Sequence, residues 1–316
     1  MRKLLFIFIL LFSVNVYSQD YIPSFDQGYA HNASECIPSA ANLWDGKVGH
    51  WVPSLGVQGS TLFDVSGYGN DGTLTNMTSA AWVVGRNGYA LDFDGTNDKV
   101  IMNDNATLEP HIGSSGVMTI TAWIHTNSLT TAQAIVTKYN SSTGNRAYAF
   151  RVTSAGKIDF FGSDLSLSNG DTVISTNTIS QTWTFVTLTF DASISGDITN
   201  KAKLYINGIQ EIGVRGWSKG TFTQFSDTTA KLQIGDTDDP APDIPFNGLI
   251  NDVRLYNRIL LDSEIWQLYT YPMADLRLVR RYYKAPAAVP PTGRRIIIIS
   301  QYINNLINND LSYLYN

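Results

Sequence analysis

The chain has 316 residues, 43% of them hydrophobic and 12% aromatic, enough to bury the core of one large β domain or two smaller ones. Only 16% are charged and the net charge is −5, which excludes the basic footprint that nucleic acid or an anionic membrane requires. Cys36 is the single cysteine, so no internal disulfide forms and stability must come from elsewhere, a bound cation being one source.

Arg2 and Lys3 precede an unbroken apolar run from Leu4 to Phe12, and Val16-Tyr17-Ser18 follows. This pattern predicts a secretory signal segment over 1–18, cleaved near Ser18, and a chain with no membrane span afterwards. Residues 19–41 are polar and patternless, with Pro23 and Pro38, and read as an N-terminal arm or a short edge strand. Val48 to Val52 is the first strand candidate.

The next stretch, Asp64-Val65-Ser66-Gly67-Tyr68-Gly69-Asn70-Asp71-Gly72, holds three glycines in nine residues, which rules out a regular helix or strand. Asp64, Ser66, Asn70 and Asp71 add oxygens to a backbone that folds back on itself. That combination suits a hard-cation site or a tight corner held by Asx hydrogen bonds.

Leu91 and Phe93 share one face of a strand that ends in Asp94-Gly95, strong turn chemistry, with a second strand to Ile101 and Asn97 and Asp98 on the rim. Val117 to His125 alternates, with Ile120, Ala122 and Ile124 on one face. Strands over 133–139, 147–153 and 157–161 follow at hairpin spacing. Thr182 to Asp191 reads as the longest strand, rich in β-branched and aromatic residues. Ala202 to Gln210 carries the two-residue turn Asn207-Gly208. Strands over 231–235 and 248–256 complete the series, and Asp236 to Asp239 reads as a solvated acidic loop. The convincing helix is Asp262 to Tyr269, with Ile265, Leu268 and Tyr269 on one face and Asp262 as N-cap. About a dozen short strands and one late helix predict an all-β antiparallel sandwich. The 272–316 segment is a proline-containing linker and a tail with Ile296 to Ile299, either a partner-binding strand or an adventitious end.

Four segments occur in order: Val48-Gly49-His50-Trp51, the Asp64–Gly72 stretch, Ala90 to Val100, and Phe246 to Arg258. Together they make the chain over 42–271 resemble the laminin-G-like jelly rolls of the concanavalin A-like lectin/glucanase superfamily. The resemblance implies two packed antiparallel sheets and a role in carbohydrate binding or adhesion. It also implies a structural calcium ligated by Asp64, Asn70, the Gly72 carbonyl and Asp252. Two departures stand out. Asn251 replaces the first of two late acids, and Leu261 replaces the serine usual at the helix start.

Catalysis finds little support. A retaining glycosidase needs two carboxylates about 5 Å apart. Glu35, Glu109, Glu211 and Glu264 are the only glutamates, and none has an acid two residues away on a strand. His50, His111 and His125 are scattered. Aromatic side chains stack on sugar faces, which directs attention to the tryptophans. Trp51, Trp123 and Trp183 sit inside alternating strands and read as core. Trp82, Trp217, Tyr68 and Tyr139 lie in loop-like surroundings and are the candidate platform, with burial in satellite clusters as the alternative for each. The expectation is a secreted, non-catalytic module that binds a glycan or another surface polymer. A structural or adhesive part of a cell surface or virion is the alternative, and a hydrolase or lyase the third.

Overall fold

The computed structural model describes residues 43–141, 143–164, 169–220, 222–238 and 244–272. The expected signal segment and N-terminal arm, Asp239 and the isoleucine tail lie outside the described residues. In chain order the strands are β1 (Lys47–Trp51), β2 (Thr61–Leu62), β3 (Gly72–Thr75), β4 (Trp82–Gly85), β5 (Gly88–Asp94), β6 (Lys99–Met102), β7 (Val117–Thr126), β8 (Gln133–Asn140), β9 (Asn145–Val152) and β10 (Lys157–Ser163). There follow β11 (Gly170–Thr178), β12 (Thr184–Asp191), a one-turn α1 (Ile198–Lys201), β13 (Ala202–Ile206), β14 (Ile209–Gln210), β15 (Gly213–Lys219), β16 (Leu232–Ile234), β17 (Asn247–Tyr256) and α2 (Asp262–Thr270).

The strands form two antiparallel sheets. One has eight strands in the order β14-β13-β12-β7-β17-β5-β4, with β1 also on β17; the other has nine, in the order β15-β11-β10-β9-β8-β16-β6-β3-β2. Period-two alternation sends Ile120, Ala122 and Ile124 of β7, and Leu91 and Phe93 of β5, into the core between the sheets. They meet Tyr148, Phe150, Ile158 and Phe160 from the nine-stranded sheet. A second cluster forms on the outer side of the eight-stranded sheet, where Ile265 and Leu268 of α2 cover Trp123, Phe185 and Tyr205. Burying those two aliphatic chains is worth about 1.5–3 kcal/mol each.

Asn207 (φ 51°) and Gly208 (φ 80°) make the left-handed pair that a two-residue hairpin needs, and β13 and β14 pair across it. The Asp94-Gly95 turn does something else. Asp94 Oδ1 accepts from the Thr96 and Asn97 N–H groups, as turn chemistry predicts, but β5 and β6 belong to different sheets, so the turn is a crossover and not a hairpin. The longest strands are β7 and β17, ten residues each, and not β12.

The start of α2 also differs from expectation. Asp262 is its first residue and spends its Oδ1 on the Tyr205 hydroxyl at 2.8 Å. Leu261 holds the cap position without a side-chain acceptor, and Glu264 reaches back to accept its N–H at 2.8 Å.

Candidate functional site

The outer face of the nine-stranded sheet carries an aromatic row. Phe160 and Phe161 are adjacent on β10, so alternation sends Phe160 to the core and Phe161 outward. Its neighbour across β9 is Ala149, a small residue that leaves room beside the ring. Tyr139 of β8 then approaches Phe161 edge-on, at 5.6 Å between centroids and 77° between planes.

Trp217 reaches the same ring from β15, at 5.7 Å and 42°. Plain alternation does not place it there. Ile174 pairs with Val214 on the outer face, which would send residue 217 inward, but the pairing of β11 with β15 shifts between Asp171 and Val173. This bulge returns Trp217 to the outer face, over Gly170, where a Cβ would lie 2.8 Å from the indole. Trp217 remains 46% exposed, while Phe161 and Tyr139 are half-buried.

Charged groups frame the row. Arg151 lies with its guanidinium carbon 5.6 Å from the centre of the Phe161 ring, and Arg146 lies 5.9 Å from that of Tyr139. Arg151 grips Asp159 with a fork, Nε to Oδ1 at 3.0 Å and Nη2 to Oδ2 at 2.5 Å. Burial pushes the Asp159 carboxyl above its ordinary range and Arg151 pulls it back. Arg215 and Asp171 form a similar pair, at 2.7 to 3.0 Å, on the other face of the sheet, where Asp171 sits opposite Gly162 on the side of Phe222 and Phe225.

Of the four aromatic candidates, Trp217 and Tyr139 thus come together through Phe161, which sequence inspection passed over. Tyr68 is 54% exposed but belongs to the loop beside β2 and β3, at the opposite edge of the sheet. Trp82 is 7% exposed, packs in the core and donates its Nε1–H to the Gly59 carbonyl at 3.0 Å, so no ligand can stack on it. Asp236 is a further correction. It is fully buried, accepts from Ile244 N at 3.2 Å and faces Lys99 at 3.4 Å, so it packs beneath its loop instead of being solvated.

The proposed calcium ligands are arranged around nitrogen donors. Asp64 Oδ1 accepts from His50 N at 2.9 Å and Ser66 N at 2.8 Å, and Oδ2 from Ser66 Oγ at 2.7 Å and Asn70 N at 2.9 Å. Asn70 gives its Nδ2 to the Val48 carbonyl and Thr107, while its own carbonyl accepts from Trp51 Nε1 at 2.8 Å. Gly72 opens β3 opposite Leu62, where a Cβ would meet Val100 at 2.4 Å, so packing alone demands a glycine. Asp252 accepts from His50 Nε2 at 2.8 Å and faces Arg254 Nη1 at 2.8 Å. Asp64 and Asp252 therefore meet only through His50, and the oxygens that a cation would share point at N–H and O–H groups. This donor set does not fit a cation.

Asp252 has a further peculiarity. It is buried at φ 55°, at the point where β17 leaves β5 for β1 and slips register against β7. The described glutamates are likewise engaged: Glu109 with Lys138 at 2.9 Å, Glu211 with Asn177 at 3.1 Å, and Glu264 with Arg258 at 2.7 Å. His111 stands apart from His50 and His125, fully buried edge-to-face against Tyr148 and Phe225.

Solved structures with this architecture include domain 4 of AbnA, a GH43 extracellular arabinanase from Geobacillus stearothermophilus, determined with arabinotriose. It is 18% identical, with a TM-score of 0.50, over 71% of this chain and 98% of that one. The receptor binding domain of a botulinum neurotoxin C/D mosaic serotype matches at 17% identity and TM-score 0.50, over 72% of this chain and 51% of that one. A structure of botulinum neurotoxin type C, whose cell entry depends on two ganglioside molecules, matches at 17% identity and TM-score 0.50, over 73% and 52%. The chain spans about half the length of these toxin domains, and at such identities the likeness is one of fold. No curated relative matches the chain. A laminin-G-like family model, described as concanavalin A-like lectin/glucanases superfamily, matches residues 94–266. That match takes in more than half of the sequence, from the crossover after β5 into α2, and the chain belongs to the concanavalin A-like lectin/glucanases superfamily.

Proposed function

We propose that this sandwich is a secreted, non-catalytic carbohydrate-binding module whose contact surface is the row Trp217–Phe161–Tyr139. The observation that carries the reading is that row: Tyr139 and Trp217 each in contact with Phe161 on one outer sheet face, with Trp217 46% exposed. Sugar rings present C–H faces that pack on aromatic faces, and their hydroxyl oxygens accept hydrogen bonds from a guanidinium alongside. The donor beside the row is Arg151, whose side chain is 26% exposed and is fixed by its fork to the buried Asp159. The arabinotriose and ganglioside associations of fold neighbours agree with a sugar ligand. The apolar N-terminal run supports export. The corner at Asp64 and Asp252 closes, in this proposal, by hydrogen bonds and ion pairs without calcium.

Glycan-array binding of the chain, followed by titration of the best glycan, tests the reading. Trp217→Ala is expected to weaken binding about tenfold or more, the loss of about 1.4 kcal/mol of stacking and burial. Unchanged affinity would move the site off this face.

An assembly role draws on a different observation. Ile209, Ile212 and Val214, 62%, 75% and 52% exposed, line the stretch that forms the edge strands of both sheets. Concentration-dependent self-association lost in Ile212→Lys would favour it.

A further inference from the structure

We propose that the aromatic row and the hollow beside it form one continuous track for an internal run of a linear polysaccharide whose sugars turn about the chain axis. This rests on the carbohydrate reading above and adds the shape and length of the ligand.

The length comes from the strand register. Phe161 pairs with Thr172, Asp159 pairs with Ile174, and Ile174 pairs with Val214, so these side chains follow one another down the same outer face. Between Trp217 and Val214 stands Gly216. A Cβ there would meet Ile174 Cδ1 at 2.6 Å, so the glycine keeps the floor low where a side chain would dam it. Beyond it opens a hollow of about 390 Å³, lined by Thr153, Ala155, Lys157, Ile174, Ser175 and Val214. Phe161 to Lys157 along β10 is roughly 13 Å at the usual strand rise, and Tyr139 adds 5.6 Å on the other side. A monosaccharide covers only a fraction of this path.

The shape comes from the rings. Their centroids are 5.6 and 5.7 Å apart, close to the advance from one sugar to the next in a linear chain. Their planes differ by 77° and 42°, so a flat ribbon can lie on one ring but not on its neighbours. A chain that rotates between units presents a new face to each ring in turn. Arg151, its side chain 26% exposed and fixed by the buried Asp159, flanks the middle of the path with N–H donors for hydroxyl groups.

The test is calorimetric titration of the full chain with oligosaccharide ladders, disaccharide through hexasaccharide, from linear arabinan and laminarin, with cello-oligosaccharides as the flat-ribbon control. Affinity for a turning ladder is expected to rise about tenfold from disaccharide to tetrasaccharide and then level, with the cello ladder weaker throughout. The double variant Lys157→Ala, Val214→Ser changes only the far end of the track; it should abolish that rise and leave the disaccharide unaffected. Trp217→Ala should weaken every length, with Trp217→Phe recovering part, and a thermal melt of each variant confirms its fold. Equal affinity at all lengths, a rise untouched by the far-end variant, or tightest binding to the cello ladder would overturn the track while leaving a sugar site in place. Failure of every ladder and of the parent polysaccharides to bind would overturn the carbohydrate reading itself, and the track with it.

Discussion

Asp252→Asn is the most demanding test of the corner that joins the first and last strands. Asp252 is 1% exposed and its two oxygens face His50 Nε2 and Arg254 Nη1, each at 2.8 Å. Lys47 Nζ approaches the other nitrogen of the same imidazole at 3.1 Å. Asparagine keeps the size of the side chain and removes its charge. Arg254 is fully buried, so the carboxylate it faces cannot be replaced by bulk water. Removing one partner of a buried ion pair costs about 3–5 kcal/mol, and for a domain of this size each kcal/mol lowers Tm by roughly 2–4 °C. The expected drop is therefore roughly 6–20 °C by circular dichroism. Adding Arg254→Met should recover part of the loss, because the two residues touch and their effects are not additive. The melts are run on calcium-loaded protein with and without EDTA, and the unmutated chain should melt at one temperature in both. A fall on chelation would refute the argument and restore the cation. So would a loss below about 1 kcal/mol for Asp252→Asn, the range of an exposed pair.

Two further outcomes follow from local chemistry. Burial, with the Lys138 charge nearby, lowers His111 from 6.5 to about 3, so the folded chain keeps it neutral while the unfolded chain takes up a proton below pH 6.5. Its contribution is whole above pH 6.5 and drains as pH falls toward 3, by about 1.4 kcal/mol per pH unit. His111→Phe, which preserves the edge-to-face packing, should flatten urea-measured stability across that window, and an unchanged slope would acquit the histidine. At the start of α2, Leu261 has the extended backbone of an N-cap (φ −69°, ψ 153°) and is 65% exposed. Leu261→Ser should stabilise by about 0.5–1 kcal/mol, and a melt that does not rise would show that Glu264 already satisfies that end.

What the sequence disclosed and what it hid follow from the range of the forces concerned. Alternation along β7 and the Asn207-Gly208 turn are local, and each is where its pattern placed it. The four ordered motifs are nearly local and carried the fold. Strands β2, β3 and β4 are only two to four residues long, too short for a period to register. Trp217 is a harder case. Its residue type suggested a sugar platform, but its aim is set by a register slip between β11 and β15, which depends on pairing between strands far apart in the chain. Phe161 was hidden by its neighbour, since Phe160-Phe161 reads as one apolar pair until a sheet divides it between core and surface. Asp236 looked solvated because four polar residues run together, and only the packing of Lys99 and Ile244 shows otherwise.

The Asp64–Gly72 loop shows the same limit in its chemistry. A sequence displays oxygens, and oxygens in a glycine-rich turn suit a cation and an N–H equally well. What decides between them is which donors the fold brings, and here the His50 and Asn70 amides occupy the Asp64 carboxylate from opposite sides. His50 also binds Asp252 through its ring, so a single residue of β1 links the early loop to the bulge in β17. That linkage lies on the eight-stranded sheet and the rim of β2 and β3, whereas the aromatic row lies on β8, β10 and β15 of the other sheet. The residues that close the fold and those that present rings to a ligand are consequently separate sets. Substitution at Asp252 should move the melting temperature and spare affinity per folded molecule, and substitution at Trp217 should do the reverse. A coupled change in both at either position would mean that the face is shaped by the corner, with the joining of the first and last strands setting the tilt of the rings.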